Sequence, residues 1–317
     1  MTQPTHLIGV DIGGTNLRVA LANLKGEIVA RVATTTTNVR EPLNVVERIR
    51  ECAQRLLEDA QLSLEHVAAI GAGAPGLTDA GNGIVIATSY LMGWRDVPLK
   101  AMLEDALDVS ASVDNDVNLA ALGESRFGAG RGLKDFVFLA IGTGLGAGII
   151  LNGELFQGSA WTAGEIGYML VPGISEEPPA LGEPGGLEGL LGGEGLRLRW
   201  QSLWSRQKTQ LPPELTATQI FNAAVAGDDL AIGLLDLAAR TLAYVIFDIT
   251  LILNAPLFVL GGSVGLHAAL RDRTQAVLEM HARRLRPKMV LSLLGGDAQL
   301  MGAIRLAQIV SHVSEEP

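Results

Sequence analysis

Two glycine-rich turns hold the first residues whose types and spacing could do chemistry. The first turn lies in VDIGGTNLRVAL and contains Asp11, Gly13, Gly14 and Thr15 between two predicted strands. Glycines let successive backbone N–H groups point into one concavity, with no side chain to block an anion. Thr15 adds a hydroxyl, and Asp11 is placed to hold a hydrated Mg²⁺ ion beside phosphates. The turn is therefore a candidate phosphate site, although a plain tight hairpin has the same pattern.

The second turn lies in IGTGLGAG at 141–148 and repeats this arrangement with Thr143 and Gly144. Two such hairpins facing each other would clamp a polyphosphate from both sides. The same residues match the loose dinucleotide pattern G-x-G-x-x-A, but that motif must open a helix, and the GIILNGELF segment predicts a strand. We therefore reject a dinucleotide site.

A third turn lies in LFVLGGSVG, where Gly261, Gly262 and Ser263 separate a predicted strand from a helix. Such a turn suits the adenosine end of a nucleotide, and a plain strand–helix connection is the alternative. The Gly-Lys-Ser/Thr signature of a P-loop does not occur in the sequence.

Carboxylates and amides are concentrated where a short predicted strand runs into a helix, in DNDVN at 114–118. Either Asp114 or Asp116 could cap that helix, which is the usual role of aspartate there. Two aspartates with Asn115 and Asn118 exceed what one cap requires, and a sugar site uses this mixture of acceptors and donors. A carboxylate beside a 6-hydroxyl can act as general base, and phosphoryl transfer otherwise needs mainly positioning and charge stabilisation.

Glu165 and Glu188 each lie among glycines, in AGEIGYM and GGLEGL. Both side chains could accept hydrogen bonds from sugar hydroxyls. A solvated loop glutamate is the alternative for each of them.

The composition limits the class of protein. The chain has 317 residues, a net charge of −10 and one cysteine, Cys52. The acidic balance argues against nucleic acid and anionic membranes as partners. A single cysteine excludes an internal disulfide. With neither a signal-peptide pattern nor a run of about 18 apolar residues, we expect a cytoplasmic protein.

Mixed strand and helix patterns predict an α/β fold with an internal repeat. Gly14-Thr15 and Gly142-Thr143 are 128 residues apart, and LKGEI at 24–28 has a counterpart in LNGEL at 151–155. The patterns predict strands over 6–12 and 17–33, a helix over 42–60, a loop over 173–195, a long apolar helix to about 253 and a final helix from about 298. Two related halves are the natural interpretation.

These motifs together resemble the ROK family of sugar kinases and sugar-responsive repressors. The resemblance extends from about residue 7 to residue 308 and includes GVDIGGTNLRVAL, GAPG, GWRDVPL, DNDVN, GTGLGAGIILNGEL, AGEIGYM, LEG and VLGGSV. It implies an actin-like ATPase (ribonuclease H-like) fold, with two α/β domains and the site in the cleft between them. We expect a domain of residues 1–113 joined by a helix at about 300–317, and a second domain of residues 114–299.

The resemblance also implies an ATP- and Mg²⁺-dependent hexokinase, most similar to the glucokinases, which forms a homodimer. Asp116 matches the catalytic base, and Gly76 lies in the turn that approaches the sugar. Asn115, Glu165 and Glu188 match sugar-binding positions. ATP contacts fall on the three turns, at Asp11, Gly13, Gly14, Thr15, Thr143, Gly144, Gly261, Gly262 and Ser263.

The sequence departs from the family at several positions that the resemblance assigns to zinc and sugar binding. Tyr168 replaces a histidine that binds zinc and sugar, and Pro179, Leu181 and Gly186 replace three zinc-binding cysteines. We therefore expect no zinc, and a loop held instead by its prolines and by Leu181, Leu187 and Leu190. Tyr90 lies where a sugar-contacting asparagine is usual.

Two other functions remain open. One is an N-acetylhexosamine kinase, since loss of the histidine alters the surroundings of the sugar ring. The other is a degenerate member that binds sugar without catalysis. A repressor is not expected, because the Asp11 strand begins within ten residues of Met1 and the net charge opposes DNA binding.

Overall fold

The computed structural model describes residues 3–88, 91, 93–171, 186–281 and 283–311. The chain divides into two compact units. The first contains residues 1–132, 155–163 and 297–317, and the second contains residues 133–154 and 164–296. The predicted boundary after residue 113 is a different division of the chain, and it stays a prediction.

The first unit is built on a five-stranded sheet in the order β3-β2-β1-β4-β8. Strands β1, β2 and β3 form an antiparallel meander, and β4 and β8 continue the sheet parallel to β1. A smaller sheet has the order β5-β6-β7. The strands are β1 (His6–Ile12), β2 (Asn16–Asn23), β3 (Ile28–Thr35), β4 (Val67–Ala74), β5 (Leu77–Asp79), β6 (Ile84–Ala87), β7 (Arg95–Val97) and β8 (Ala111–Asn115).

The second unit has a five-stranded sheet in the order β11-β10-β9-β12-β13. An antiparallel hairpin, β9 with β10, is again followed by two strands parallel to its first strand. The repeated topology is that of the actin-like, ribonuclease H-like fold that the family resemblance implies, and the internal repeat of the sequence predicts its two related halves. The strands are β9 (Phe136–Ile141), β10 (Leu145–Leu151), β11 (Glu154–Leu155), β12 (Leu257–Gly261) and β13 (Lys288–Leu291).

Helices cover the sheets, and one helical segment corrects the sequence interpretation. The described end of the predicted 173–195 loop is helical, because Leu187 and Leu191 bury their side chains in the core of the second unit. The predicted β region over 17–33 consists of two strands joined by a turn at Gly26, whose φ is +87°. The helices are α1 (Pro42–Asp59), α2 (Leu99–Leu107), α3 (Asp116–Phe127), α4 (Glu188–Leu191), α5 (Gly193–Leu203), α6 (Ala217–Val225), α7 (Asp229–Leu253), α8 (Gly262–Gly265), α9 (Ala268–Leu278) and α10 (Ala298–Val310).

Helix α7 is long and apolar enough to cross a bilayer by length and composition, and more than half of its most apolar window is buried. Its residues Leu235, Leu242 and Ile246 are fully buried in the core of the second unit. These contacts are those of a core helix.

Helix α10 closes the first unit by approaching its neighbours at glycines. A Cβ atom on Gly71 of β4 would lie 1.9 Å from the carbonyl oxygen of Ala303, and one on Gly302 would lie 1.7 Å from that of Leu119 in α3. Backbones can come this close only where no side chain intervenes. The helix is thereby held between the sheet and α3.

Candidate active site

The first glycine-rich turn, at the end of β1, has its carbonyl oxygens bound by the end of β3. Thr36 Oγ1 donates to the carbonyl oxygen of Gly13 at 2.9 Å, and Thr35 Oγ1 donates to that of Thr15 at 2.9 Å. The N–H of Gly13 closes the turn on the carbonyl oxygen of Asn16 at 2.7 Å. Two carbonyl oxygens of the turn, which would repel an anion, are therefore occupied, while the Thr15 residue is exposed.

Asp11 is held by Arg18, which the sequence interpretation missed. The hairpin register pairs these residues directly across β1 and β2. Arg18 donates to Asp11 Oδ2 from Nε at 2.8 Å and from Nη2 at 2.7 Å, and it also binds Asp297. Burial raises the pKa of Asp11, and the Arg18 guanidinium opposes that shift. A carboxylate already bound to an arginine fits a hydrated Mg²⁺ held through water rather than direct coordination.

The second glycine-rich turn, in the second unit, is held by the start of α5. The N–H of Gly193 donates to the carbonyl oxygen of Gly142 at 2.8 Å, and that of Glu194 donates to Thr143 at 3.2 Å. Gly193 must be small, because its Cβ would lie 2.8 Å from the Gly142 oxygen. The sequence interpretation assigned this segment to a loop and so missed the support.

The third turn lies against the end of β9. Gly262 has a φ of +79°, and a Cβ there would lie 2.4 Å from the carbonyl oxygen of Ile141. A Cβ on Gly261 would lie 2.3 Å from the Phe138 ring. Both glycines therefore serve close packing beside the second turn, and Ser263 is exposed next to them.

The start of α3 carries Asp116 and is capped by Asn115. Asn115 Oδ1 accepts hydrogen bonds from the N–H groups of Val117 and Asn118, at 2.8 and 3.2 Å. Its Nδ2 donates to the carbonyl oxygen of Gly76 at 2.8 Å. The cap is thus Asn115 rather than either aspartate, and Asp116 is the first residue of the helix. The side-chain amide of Asn115 thus connects the Gly76 turn to the start of α3, next to Asp116, the proposed base.

Asp114 is buried beneath this turn, with 3% of its surface exposed. Oδ1 accepts hydrogen bonds from the N–H of Asn115 at 2.7 Å and from Asn118 Nδ2 at 2.9 Å. Oδ2 accepts one from Gln157 Nε2 at 2.6 Å. Burial raises the pKa of Asp114 to about 6, and the hydrogen bonds oppose that shift.

Glu165, Tyr168 and Glu188 interact within the second unit. Burial, and then the charge of Glu188, raises the pKa of Glu165, while burial raises that of Glu188. Burial and both glutamates raise the pKa of Tyr168, whose surface is 66% exposed. Glu188 Oε2 also accepts the N–H of Leu145 at 2.8 Å, which fixes this carboxylate beside the second turn.

Within each unit the predicted residues gather at one edge of the sheet. In the first unit β1, β4 and β8 are parallel, and Asp11, Gly73 and Asp114 share one register row. The turns that follow these strands lie at the carboxyl ends, where ligands bind in open α/β sheets. In the second unit β9 and β12 are parallel and end in the second and third turns.

Part of the sugar and zinc prediction falls outside the described residues, namely Tyr90, Pro179 and Leu181. In the part of the chain that the structure describes, no three His, Cys, Asp or Glu side chains are grouped so as to hold a metal ion. The absence of zinc stays a prediction.

Comparison with known proteins places these features in one family. The ROK family model matches residues 7–309. A glucokinase of Halalkalibacterium halodurans is 34% identical over 81% of this chain and 80% of its own. An N-acetylmannosamine kinase of Escherichia coli is 30% identical over 95% of this chain and 98% of its own. The crystal structure of a Streptomyces griseus ROK glucokinase with glucose and AMPPNP superposes with a TM-score of 0.77, 27% identity, and coverage of 96% of this chain and 99% of that one. The chain belongs to the ROK family.

Proposed function

We propose that this chain is an ATP-dependent hexokinase that phosphorylates the 6-hydroxyl of glucose. The observation that carries the proposal is the placement of Asp116 as the first residue of α3, at the sheet edge that also carries the Asp11–Thr15 turn. One positioned carboxylate beside a phosphate-binding turn is sufficient for phosphoryl transfer to a hydroxyl. The similarity to glucokinases supports glucose as the substrate.

In the proposed reaction Asp116 takes the proton of the 6-hydroxyl as its oxygen attacks the γ-phosphorus. The bond from that phosphorus to the β–γ bridging oxygen breaks, and ADP leaves with the bridging oxygen. The phosphate contacts would come from Gly13, Gly14, Thr15, Thr143 and Gly144. Asp11 would hold hydrated Mg²⁺ through water, and the charge of the ion would offset that of the phosphate oxygens.

The sugar would be bound by carboxylates that are kept partly from water. Glu165 and Glu188 would accept hydrogen bonds from hydroxyls, and Asn115 and the Gly76 turn, which are joined by a hydrogen bond, would provide further sugar contacts. Removing a carboxylate from water weakens its hydration, so that each sugar hydroxyl bound to it is worth more. Tyr168, next to both glutamates, offers an aromatic face and a hydroxyl at the edge of this group.

A second candidate is an N-acetylhexosamine kinase, favoured by Tyr168 and by the similarity to an N-acetylmannosamine kinase. Tyr168 stands where a histidine of the family binds sugar, so the surroundings of the sugar ring differ from those in glucokinases. A sugar-binding protein without catalysis is the third possibility. Its test is binding without ADP formation.

The deciding experiment is an ADP-coupled assay with Mg²⁺–ATP and five sugars: glucose, mannose, fructose, N-acetylglucosamine and N-acetylmannosamine. We expect the highest kcat/KM with glucose. Asp116→Asn should lower kcat by about 100-fold or more, because a positioned general base contributes on that scale. The variant should still give a thermal shift with the sugar.

Asp105→Asn is the matched control, because Asp105 is exposed on α2 and the change removes the same charge. Near-normal turnover by Asp116→Asn contradicts the role of Asp116. Preference for an N-acetylated sugar selects the second candidate, and a thermal shift without ADP selects the third. We also expect a cytoplasmic homodimer, which light scattering after size-exclusion chromatography tests.

A further inference from the structure

Asp114 is a buried carboxylate that the proposed reaction does not use. It lies two residues before Asp116, at the end of β8, and it faces three donors: the N–H of Asn115, Asn118 Nδ2 and Gln157 Nε2. None of these donors is charged. An ionised carboxylate is acceptor-only and can satisfy all three, whereas a protonated one would direct its own O–H at a donor.

The contacts of Asp114 bracket Asp116 along the chain. One fixes the N–H of Asn115, the residue before Asp116, and another fixes the side chain of Asn118, two residues after it, on the first turn of α3. The third comes from Gln157, in the 155–163 segment that belongs to the first unit. The strand end, the start of the helix and this segment therefore meet at one carboxylate.

We propose that Asp114 and Gln157 form a positioning pair that fixes Asp116 at the start of α3. The inference rests on the proposed function for its catalytic consequence. Asp114 itself lies below the surface and touches no reacting atom in this proposal. It holds the backbone from which Asp116 projects, and small displacements of a catalytic group from its working position lower rates strongly.

The test first replaces the donor of the pair by a second acceptor and then exchanges the donor and the acceptor. Gln157→Glu would place a second acceptor-only group against Asp114 Oδ2, and at pH 8 the two carboxylates should repel. We expect kcat to fall by about 10- to 100-fold, as expected when a catalytic group is displaced by about 1 Å. Lowering the pH to 6 should recover part of this loss relative to the wild-type protein, since one shared proton lets two carboxylates bond.

The double variant Asp114→Asn with Gln157→Glu restores a donor facing an acceptor, with their places exchanged. The amide nitrogen of the asparagine would donate to the new glutamate, and its oxygen would still accept from Asn115 and Asn118. We expect kcat to return to within about threefold of wild type, since the positioning contacts are remade. Gln207→Glu, at an exposed position, is the control for added charge.

Hydrogen exchange of residues 111–119 provides a readout that does not depend on turnover. Gln157→Glu should speed exchange there, and the double variant should restore protection. The proposal is overturned if exchange does not change in Gln157→Glu, or if the double variant is no better than the single one in both exchange and kcat. A wild-type protein with no kinase activity would instead refute the proposed function, and exchange would then decide the pairing alone.

Discussion

Asp114, Glu165 and Glu188 are carboxylates held in surroundings that disfavour their charged form. Burial is the first cause of the raised pKa in each case. Each of these groups therefore lowers stability at neutral pH relative to a neutral side chain of the same shape. This loss of stability occurs at residues whose charge binds amide donors, in Asp114, or is proposed to bind sugar hydroxyls, in Glu165 and Glu188.

The stability cost of Asp114 predicts a specific pH dependence. The pKa of Asp114 rises from an ordinary aspartate value of 3.8 to about 6 in the folded protein, so the folded state binds the proton more tightly between these values. The contribution of Asp114 to the free energy of unfolding therefore falls as pH rises from about 4 to 6, by ~3 kcal/mol. Asp114→Asn cannot titrate and lacks this fall.

Urea denaturation of the wild-type protein and Asp114→Asn at pH 4, 5, 6 and 7 measures the effect. The free energy of unfolding of the variant minus that of the wild-type protein should increase with pH up to about 6 and then level off. A difference that stays constant over this range contradicts a raised pKa at Asp114.

Two helices each contain a glycine, and the space around the two glycines differs. Gly302 of α10 faces the backbone of Leu119, whereas Gly233 of α7 has open space where its Cβ would be. Gly302→Ala should destabilise the protein by about 3 kcal/mol, since the backbone of α3 would have to move. Gly233→Ala should stabilise it by about 0.5–1 kcal/mol, because alanine is the better helix former.

Thermal or urea unfolding of the two variants checks this pair, each being the control for the other. Equal effects of the two substitutions would mean that the close approach of α10 to α3 is not maintained in solution. The comparison is sharp because both glycines lie inside helices and neither has a positive φ.

The hairpins and their turns were predictable from the sequence, whereas the groups that hold the turns were not. Alternating apolar residues around Gly13-Gly14 and Gly142-Thr143 indicate strand, turn and strand without reference to anything distant. Arg18 is paired with Asp11 across the hairpin, so this contact can be predicted once the position of the turn is known. Gln157 is 43 residues from Asp114 and carries no local signal, because its contact exists only in the folded chain.

Helices α4 and α5 show a different limit of sequence interpretation. Gly192, Gly193 and Gly195 favour a loop by local propensity. In the fold these glycines allow close backbone contacts, and Gly195 would place a Cβ 2.4 Å from the carbonyl oxygen of Gly189. Burial of Leu196 and Trp200 outweighs the weak local preference. Tertiary packing therefore decides the helix.

For the molecule as a whole, the zinc prediction has a direct test. Tyr168 and Gly186 occupy two of the four positions that the family resemblance assigns to zinc ligands, and neither offers an imidazole or thiolate. We expect metal analysis to find far less than one zinc per chain. A zinc-selective chelator should leave the Tm unchanged, whereas removal of Mg²⁺ should abolish turnover. Stoichiometric zinc, or a Tm lowered by the chelator, would contradict this.

The first unit combines segments that are far apart in the chain, so it is completed only late in synthesis. Its sheet strands are complete by Asn115, yet Gly71 and Gly123 remain without their packing partner until α10 has been made. On a ribosome that partner arrives about 10 s or more after residue 132 at ordinary elongation rates. During that interval the face of the sheet around Leu7 and Ala69, which α10 later covers, stays exposed to chaperones and to self-association. The first unit of the nascent chain therefore lacks its covering helix while residues 133–296 are synthesised.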